Sequence, residues 1–455
     1  MKITVILPLH NSEKYIKECM DSIINQTLQE IEIICIDSGS DATSNIIGSY
    51  AENDRRVHYL YDSNSSYGYK INKGISLAQG TYIAIVESDD YIRSDMLQIL
   101  YETAEKYQVD FIKADYKKFI DIGGRRIESE FKHLANQSRY NCVINVQEEP
   151  EIRYYVGYSI WAGLYQKDFL ISNHLYLNET QGASYQDTGF SVLATLLSKK
   201  VYFSDHQLYH YRLDNNNSSV KSQKKYSCII DEFCWLKKQM QLNHLNGEDF
   251  TNFYKNKKLI SYFWNYKRLL LEFRKKFIEE IHEEMEFEFG NEDSYFKTLN
   301  YEQVREVKIL CGDIGETHKF DQDRTMLKKD LLQIAKIFRE KEEIVIFGAG
   351  KYGEDLAELN YIFLKGNVVA ICDNDINKIN REVRGLLVEE PKETVLKHKN
   401  AFYVIANRHK PQEILDQLRV SGISPDSVYL LQRMPEKAAL LETILELHED
   451  GKKDV

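Results

Sequence analysis

The chain has 455 residues, 43% of them hydrophobic, and a formal net charge of −11 from 59 Lys+Arg against 70 Asp+Glu. That is enough apolar material for sizeable cores, and the length suggests about two to four domains. The acidic balance argues against a general nucleic-acid binder, whose footprint is basic, and no run approaches the ~18 apolar residues of a spanning helix.

The seven cysteines (Cys19, Cys35, Cys142, Cys228, Cys234, Cys311, Cys372) are scattered, and none forms C-x-x-C. That favours reduced core thiols in a reducing compartment over a disulfide framework or a zinc site. The N-terminus opens directly on a strand-like run, without the charged and apolar regions of a signal peptide. A cytoplasmic location is expected, with peripheral attachment at the inner face of the membrane left open. The 31 tyrosines suit a carbohydrate-facing surface, because the ring stacks on sugar C–H faces while the hydroxyl hydrogen-bonds. Such a count also arises from composition alone.

In chain order, Ile3–Leu7 is expected to be a strand and Ser12–Ile24 a helix with Ser12 as N-cap. Ile31–Ile36 is a buried strand, Asp41–Asn53 a helix, Val57–Tyr61 a short strand and Lys70–Leu77 a helix. Tyr82–Val86 is a strand buried on both faces. Ser94–Tyr107 is a helix and Phe111–Tyr116 a strand. This alternation predicts an α/β fold with a mostly parallel sheet. From Asp121 to about Asp187 the pattern loosens, as in an extended surface around a substrate. Phe190–Ser198 is a helix and Val201–Phe203 a strand. Roughly Ile229–Phe287 and Tyr301–Arg339 are helical. A second α/β unit starts at Glu343: strand Ile344–Phe347, helix Tyr352–Asn360, strands Val368–Cys372 and Ala401–Ile405, and helix Pro411–Val420. The expected divisions are 1–225, 226–340, 341–435 and a charged tail 436–455.

The strand Tyr82–Val86 runs into Glu87-Ser88-Asp89-Asp90. Acids packed so closely raise one another's pKa unless a cation sits between them. In open α/β sheets ligands bind outside the carboxyl ends of the strands, so this end is a seat for a hard divalent metal and hence a diphosphate. The alternative is a solvated acidic loop. Three further loops would converge there: Pro8-Leu9-His10-Asn11, Asp37-Ser38-Gly39-Ser40, and Gly68-Tyr69-Lys70-Ile71-Asn72-Lys73-Gly74.

Together, Pro8-Leu9-His10-Asn11, Asp37-Ser38-Gly39-Ser40, Asn72-Lys73-Gly74 and Glu87-Ser88-Asp89 make residues 1–220 resemble a family 2 glycosyltransferase of the GT-A fold. The resemblance implies an inverting transfer from a nucleotide-diphosphate sugar, usually a UDP-sugar, to a saccharide or glycan, with Mn²⁺ or Mg²⁺. Asp37 would contact the uracil or ribose region, and Asp89 would ligate the metal. Pro8, His10, Asn11, Ser38, Gly68, Lys70, Asn72, Lys73, Glu87 and Ser88 would face the donor. Ser38 and Glu87 depart from the family's D-D-G-S and D-x-D. Glu87 is one methylene longer than Asp and reaches either the ribose, a metal-bound water or the metal.

Transfer also needs a base for the acceptor hydroxyl. Asp187 stands at a helix start, where pattern alone makes it an N-cap; the resemblance makes it the catalytic base, flanked by Tyr185 and Gln186 at the acceptor. Trp161 either stacks on the acceptor sugar or fills core. Downstream, Tyr209-His210-Tyr211-Arg212 and Asn215–Val220, which includes Ser218, resemble a segment that folds over the diphosphate. Arg212 would pair with phosphate. His210 either completes the metal shell or is a packed core histidine.

The helical stretch places Tyr262, Phe263, Tyr266, Leu269, Leu270, Phe273 and Phe277 among Lys267, Arg268, Arg274, Lys275 and Lys276. It is either a helix packed on a neighbour or a basic face for an anionic membrane. After Glu343, Gly348-Ala349-Gly350-Lys351-Tyr352-Gly353 follows a strand, and Asp373 ends the next, twenty residues beyond Gly353. That spacing matches a dinucleotide fingerprint. Without an evident hydride-transfer dyad it is read as a Rossmann-like appendage whose glycines make tight turns. Such a module would bind a nucleotide, hold a homo-oligomer or dock a partner. Two alternatives to the transferase remain: an NAD(P)-dependent oxidoreductase of nucleotide sugars, and a non-catalytic nucleotide-sugar-binding regulator.

Overall fold

The structure is a computed structural model. It describes residues 1–431 except 123–124, 135, 216, 291–294, 364–366, 384 and 408; the tail 436–455 lies outside these residues. The chain divides into two compact units, Met1–Asp313 and a second beginning at Ile314.

The first unit opens with β1 (Ile3–Leu9), α1 (Ile16–Ile24), β2 (Ile31–Asp37), α2 (Thr43–Asn53), β3 (Val57–Tyr61), α3 (Tyr67–Leu77) and β4 (Tyr82–Ile85). It continues with β5 (Tyr91–Ile92), α4 (Met96–Tyr107), β6 (Phe111–Ile122), β7 (Arg125–Phe131), β8 (Val143–Asn145) and β9 (Gly163–Gln166). Then come α5 (Lys167–Ser172), α6 (Gln186–Leu197) and β10 (Lys200–Arg212). The sheet order is β3-β2-β1-β4-β9-β6-β10-β5, with β7 on β6 and β8 on β10. The first four strands pair in parallel, whereas β9 runs antiparallel to both β4 and β6. All residues of β1 and β2 are buried, the signature of strands covered on both faces. Leu9 pairs with Asp37 and Ile6 with Ile85, so the loops after β1, β2 and β4 open on one sheet edge.

Several boundaries differ from the sequence expectation. The helix expected from Ser12 begins at Ile16, and Tyr15 holds the N-cap position with no side-chain bond. The Ser12 hydroxyl is instead 2.7 Å from the Ser88 hydroxyl, a tertiary partner that outcompetes capping. The helix expected from Lys70 begins one turn earlier, capped by Ser66, whose hydroxyl accepts from Tyr69 N at 3.2 Å. The loosely patterned stretch contains β7, which pairs antiparallel with β6.

The unit ends in α7 (Cys228–Leu242), α8 (Glu248–Arg268), α9 (Leu271–Phe289) and α10 (Tyr301–Leu310). The run expected as one helical stretch breaks at Leu269–Leu270 without Gly or Pro. There Gln223 Oε1 accepts from Leu270 N at 2.7 Å, and Arg274 Nε donates to Leu269 O at 2.8 Å. These side chains replace the helical bonds lost at the break. Tyr262, Tyr266 and Phe277 are buried, and the fully buried Lys258 Nζ lies between Glu284 and Glu288 at 2.5 and 2.8 Å. The aromatic face of this stretch is thus turned onto neighbouring helices.

In the second unit, α11 (Ile314–Glu340) precedes β11 (Ile344–Phe347), α12 (Lys351–Phe363), β12 (Val368–Cys372), β13 (Glu382–Val383) and β14 (Leu386–Glu389). It ends with α13 (Pro391–Lys397), β15 (Phe402–Ile405), α14 (Pro411–Val420) and β16 (Val428–Leu430). The order β13-β14-β12-β11-β15-β16, parallel except for β13, has the doubly wound arrangement around β11. Val345, Phe347, Cys372, Tyr403 and Ile405 form its core with Ile414 and Leu418. The helix Ile314–Glu340, expected within the middle region, belongs to this unit.

Candidate active site

The register of β1 and β2 brings their loops into contact. His10 Nδ1 lies 3.1 Å from Ser38 Oγ. Asn11 adopts φ 52°, a left-handed conformation that Asn tolerates, and its Oδ1 accepts from Ser40 N at 2.9 Å. A Cβ on Gly39 would lie 2.6 Å from Asn11 N, so this close approach needs glycine. Pro8 is buried in β1 opposite Ile36. Asp37 is buried; its Oδ1 accepts from Gly39 N at 2.7 Å and its Oδ2 from the Tyr59 hydroxyl at 3.1 Å. Lys70 Nζ donates to Leu9 O at 2.8 Å and Ser38 Oγ at 3.0 Å. Burial lowers its pKa to about 8, while the charges of Asp37 and Glu87 act in the opposite direction.

The acids after β4 have separate tasks. Asp90 is fully buried and fastens the strand end to β10, accepting from the Tyr209 hydroxyl and Arg212 N, both at 2.7 Å. Glu87 accepts from the Tyr67 hydroxyl at 2.5 Å. Burial, then the charges of Asp89 and Asp187, raise its pKa to about 8 against that hydrogen bond. Burial also raises Asp89, with Asp214 adding to the shift, while the Asn215 amide and Arg212 oppose it. Asn215 Nδ2 donates to Asp89 Oδ2 at 2.7 Å.

Opposite stands the start of α6. Its N-cap position is Tyr185, at φ 65°. Asp187 therefore lies in the first turn and is not the cap. Its pKa is raised to about 6 by burial, against backbone hydrogen bonds at Thr188 and at its own N–H and the charge of Lys113. A carboxylate in the first turn also faces the positive end of the helix dipole. The charge of Asp187 acts on Tyr67, Tyr158, Tyr165 and Tyr185, all of whose pKa values burial raises first. It also acts on Glu87. Tyr67 is thus bonded to the acid loop and lies within the electrostatic reach of Asp187.

The other expected contacts fall differently. Trp161 is in the core, stacked on Tyr209 and Tyr211 at ring distances of 4.3 and 5.0 Å. Gln186 is buried and holds its own loop, accepting from Ser184 N at 2.6 Å and donating to Thr180 Oγ1 and Gly182 O at 3.0 Å each. The Tyr185 hydroxyl donates to Asn265 Oδ1 at 2.6 Å and accepts from Arg268 Nε at 2.8 Å. Asn72 clamps the segment before α6, donating to Leu177 O at 2.9 Å and accepting from Leu177 N at 2.8 Å. Lys73 is paired with Asp62 at 2.5 Å. Gly68 faces the same segment, where a Cβ would lie 2.0 Å from Asn178 O.

His210 and Arg212 alternate with Tyr209 and Tyr211 along β10, so they occupy the opposite face of the strand. His210 Nδ1 is 3.1 Å from Glu128 Oε1, and the ring stacks on Tyr91 at 4.1 Å. Burial lowers its pKa, and Glu128 opposes the shift. Arg212 is buried; it pairs with Glu18, Asp121 and Asp214 at 2.6, 3.0 and 3.3 Å. Its Nε donates to Asp89 O at 2.8 Å. It supports the acid loop from behind, with its donors committed to protein acceptors. Ser218 is half-buried on the segment after β10; Asn216 and the Val220 side chain lie outside the described residues. Among the described residues, no group of three or more His, Cys, Asp or Glu is arranged to hold a metal ion.

Sequence reasoning missed Lys113. It is fully buried on β6, and its Nζ donates to Gly157 O at 2.8 Å. Burial, then the charge of Lys257, lower its pKa to about 7. A lysine inside the apolar run Phe111–Tyr116 was the available signal. Tyr67 carried no comparable mark, whereas Asn215 opens the segment expected to fold over the diphosphate.

In the second unit, Gly348 has φ 120°, and a Cβ on Gly353 would lie 1.8 Å from Gly348 O. Gly350 has no such contact, its nearest neighbour being Lys378 Nζ at 4.0 Å. Asp373 is taken up by the loops themselves, accepting from Ala349 N at 2.7 Å and pairing with Lys378 at 3.0 Å. The glycines at 348 and 353 are explained by packing.

Residues 4–160 match the family model described as Glycosyl transferase family 2. The chain is 31% identical over 239 residues to Glycosyltransferase GlyA of Streptococcus pneumoniae, covering 50% of this chain and 33% of that protein. It is 30% identical over 240 residues to the Uncharacterized glycosyltransferase EpsJ of Bacillus subtilis, covering 52% of this chain and 67% of that protein. It thus spans only a third of the length of the first relative. The crystal structure of S. aureus TarS 1-349 in complex with UDP-GlcNAc is 20% identical with a TM-score of 0.48, over 63% of this chain and 81% of that one. No helix among the described residues is long and apolar enough to cross a membrane. With this family model and a glycosyltransferase relative at 30% identity covered over two thirds of its length, the chain belongs to the family 2 glycosyltransferases.

Proposed function

We propose that the chain moves a sugar, with inversion, from a UDP-sugar to a saccharide hydroxyl of a bacterial surface polysaccharide or a protein-linked glycan. The observation that carries this reading is the placement of two acids about Tyr67: its hydroxyl is bonded to Glu87 at 2.5 Å, and the charge of Asp187 acts on both Tyr67 and Glu87. One side suits a diphosphate and the other an acceptor.

Asp187, ionised above about pH 6, takes the proton of the acceptor hydroxyl as that oxygen attacks the anomeric carbon. The bond from this carbon to the diphosphate breaks on the opposite face, through an oxocarbenium-like transition state. Attack opposite the leaving group inverts the centre. Lys70 places a cation beside Ser38, at the donor end. Asp37 and Tyr59 form the deep end, suited to base or ribose. Asn215 latches the segment after β10 onto Asp89, which helps exclude water that would hydrolyse the donor.

The acid loop fits a divalent cation. Asp89 and Glu87 are half-buried carboxylates raised by burial and by neighbouring acids, an excess of negative charge that a hard cation relieves. Mn²⁺ or Mg²⁺ held by Asp89, with Glu87 beside it, neutralises the departing diphosphate when bound.

The test is to incubate the purified chain with Mn²⁺ or Mg²⁺ and a panel of UDP- and GDP-sugars, with and without saccharide acceptors, and to measure free nucleotide. Release of UDP from one donor, stimulated by acceptor, is expected. Silence across the whole panel contradicts the reading.

A further inference from the structure

Helix α3 has two chemically distinct faces. Tyr67, Lys70, Ile71 and Gly74 lie within one side at 100° per residue, and Tyr69, Asn72, Lys73 and Ser76 within the other. The first side serves the crevice through Glu87, Leu9 and Ser38. The second lines a cleft of about 680 Å³ shared with the segment before α6 and with α7, within the ~300–1,000 Å³ typical of small-molecule sites. Its walls include Tyr69, Asn72, Tyr176, Glu179, Trp235 and Gln239.

We propose that this cleft is a second saccharide site, which holds an oligosaccharide stretch of the acceptor outside the transfer centre; this rests on the reading that the acceptor is a glycan. Three aromatic side chains and the Gln239 amide are the lining that sugar rings need, flat apolar faces beside a donor and an acceptor; the Asn72 amide is taken up by Leu177 and Glu179 and shapes the wall. Tyr176 is 37% exposed, which leaves ring surface open for stacking. Trp235 is held in place: a Cβ on Gly189 would lie 2.8 Å from its Cζ3. Lys73 is already paired with Asp62 at 2.5 Å, and Glu179 accepts from the neutral Asn72 amide at 2.9 Å, a bond that leaves its negative charge in place. A wall with a carboxylate and a cation already taken selects a neutral sugar over a nucleotide or phosphate.

The cleft also abuts the catalytic helix. Its wall, the segment through Leu177 and Glu179, continues to Gly182, whose carbonyl accepts from Tyr67 N at 2.9 Å. Gly189, under Trp235, is two residues from Asp187. A glycan seated here lies beside the elements that carry the base.

The test is isothermal titration of the full chain with cellohexaose, chitohexaose and maltohexaose. At least one is expected to bind the unmodified chain and Asp187→Asn alike. Tyr176→Ala and Gln239→Ala should each weaken it about three- to tenfold, while Tyr301→Ala, exposed and outside the cleft, should not. The proposal is overturned if none of the three binds, if binding disappears in Asp187→Asn, or if both cleft variants bind as the unmodified chain does. Nucleotide release is not part of this readout. A chain that binds glycan here but turns over no donor defeats the transferase reading alone, and the reverse outcome defeats the cleft alone.

Discussion

Asn215 donates its side-chain amide to Asp89 Oδ2 at 2.7 Å across 126 residues of sequence. This bond joins the segment after β10 to the acid expected to hold the cation, and its Asn donor suits an ionised carboxylate. If the segment is the donor's cover, Asn215→Ala should raise the donor KM about three- to tenfold, the loss of one hydrogen bond to a charged group. Initial rates at varied donor concentration check this, and an unchanged KM speaks against the latch.

Asp89 and Asp90 are neighbours with different expected losses. Asp90 accepts two buried hydrogen bonds, so Asp90→Ala leaves the Tyr209 hydroxyl and Arg212 N without their acceptor. It should lower stability by about 1–3 kcal/mol, seen as a lower denaturation midpoint. Asp89→Ala should melt close to the unmodified chain yet lose transfer. The opposite pattern would exchange their roles.

The raised pKa of Asp187, about 6, fixes a pH dependence. A base must be ionised, so kcat/KM should fall as pH drops through about 6, and this limb should vanish in Asp187→Asn. Stability has the opposite sign. The folded pKa lies above the ordinary value of 3.8, so the fold binds this proton more tightly than the unfolded chain does, and stability falls as pH rises from 3.8 to about 6 and stays at the lower level above that. Asp187→Asn should therefore raise the melting temperature by about 2–4 °C at pH 8, and by less at pH 5.

The glycines of the second unit separate fold from ligand. Gly353→Ala would force a Cβ to 1.8 Å from Gly348 O, whereas Gly350→Ala meets nothing closer than 4.0 Å. The first should destabilise the unit strongly, and the second should leave its melting unchanged. Equal effects would contradict a packing role for Gly353.

Much of the sheet was legible because buried parallel strands carry unbroken apolar runs, as in Ile31–Ile36 and Tyr82–Val86. The loops at their ends were legible for the same reason: glycine and acids cluster where a run stops. What failed was side-chain direction. Asn72 is two residues from Lys70, so about 200° of helical rotation turns it to the other side of α3, while Lys73, near the border of the two faces, is drawn away by Asp62. His210 and Arg212 lie next to residues that face the acid loop, yet strand alternation sends them to the reverse face. The segment from Asn215 was expected over the donor, but its specific bond to Asp89, like that of Tyr67 to Glu87, had no sequence mark, since each joins positions apart in the chain. The break at Leu269–Leu270 was invisible because Gln223 and Arg274, not a local breaker, stabilise it.

The most direct measurement pairs UDP affinity with sugar transfer in Asp187→Asn. The account predicts UDP binding within about twofold of the unmodified chain and transfer lower by about 10²–10⁴-fold, the contribution of a positioned base. Transfer retained within tenfold would contradict it.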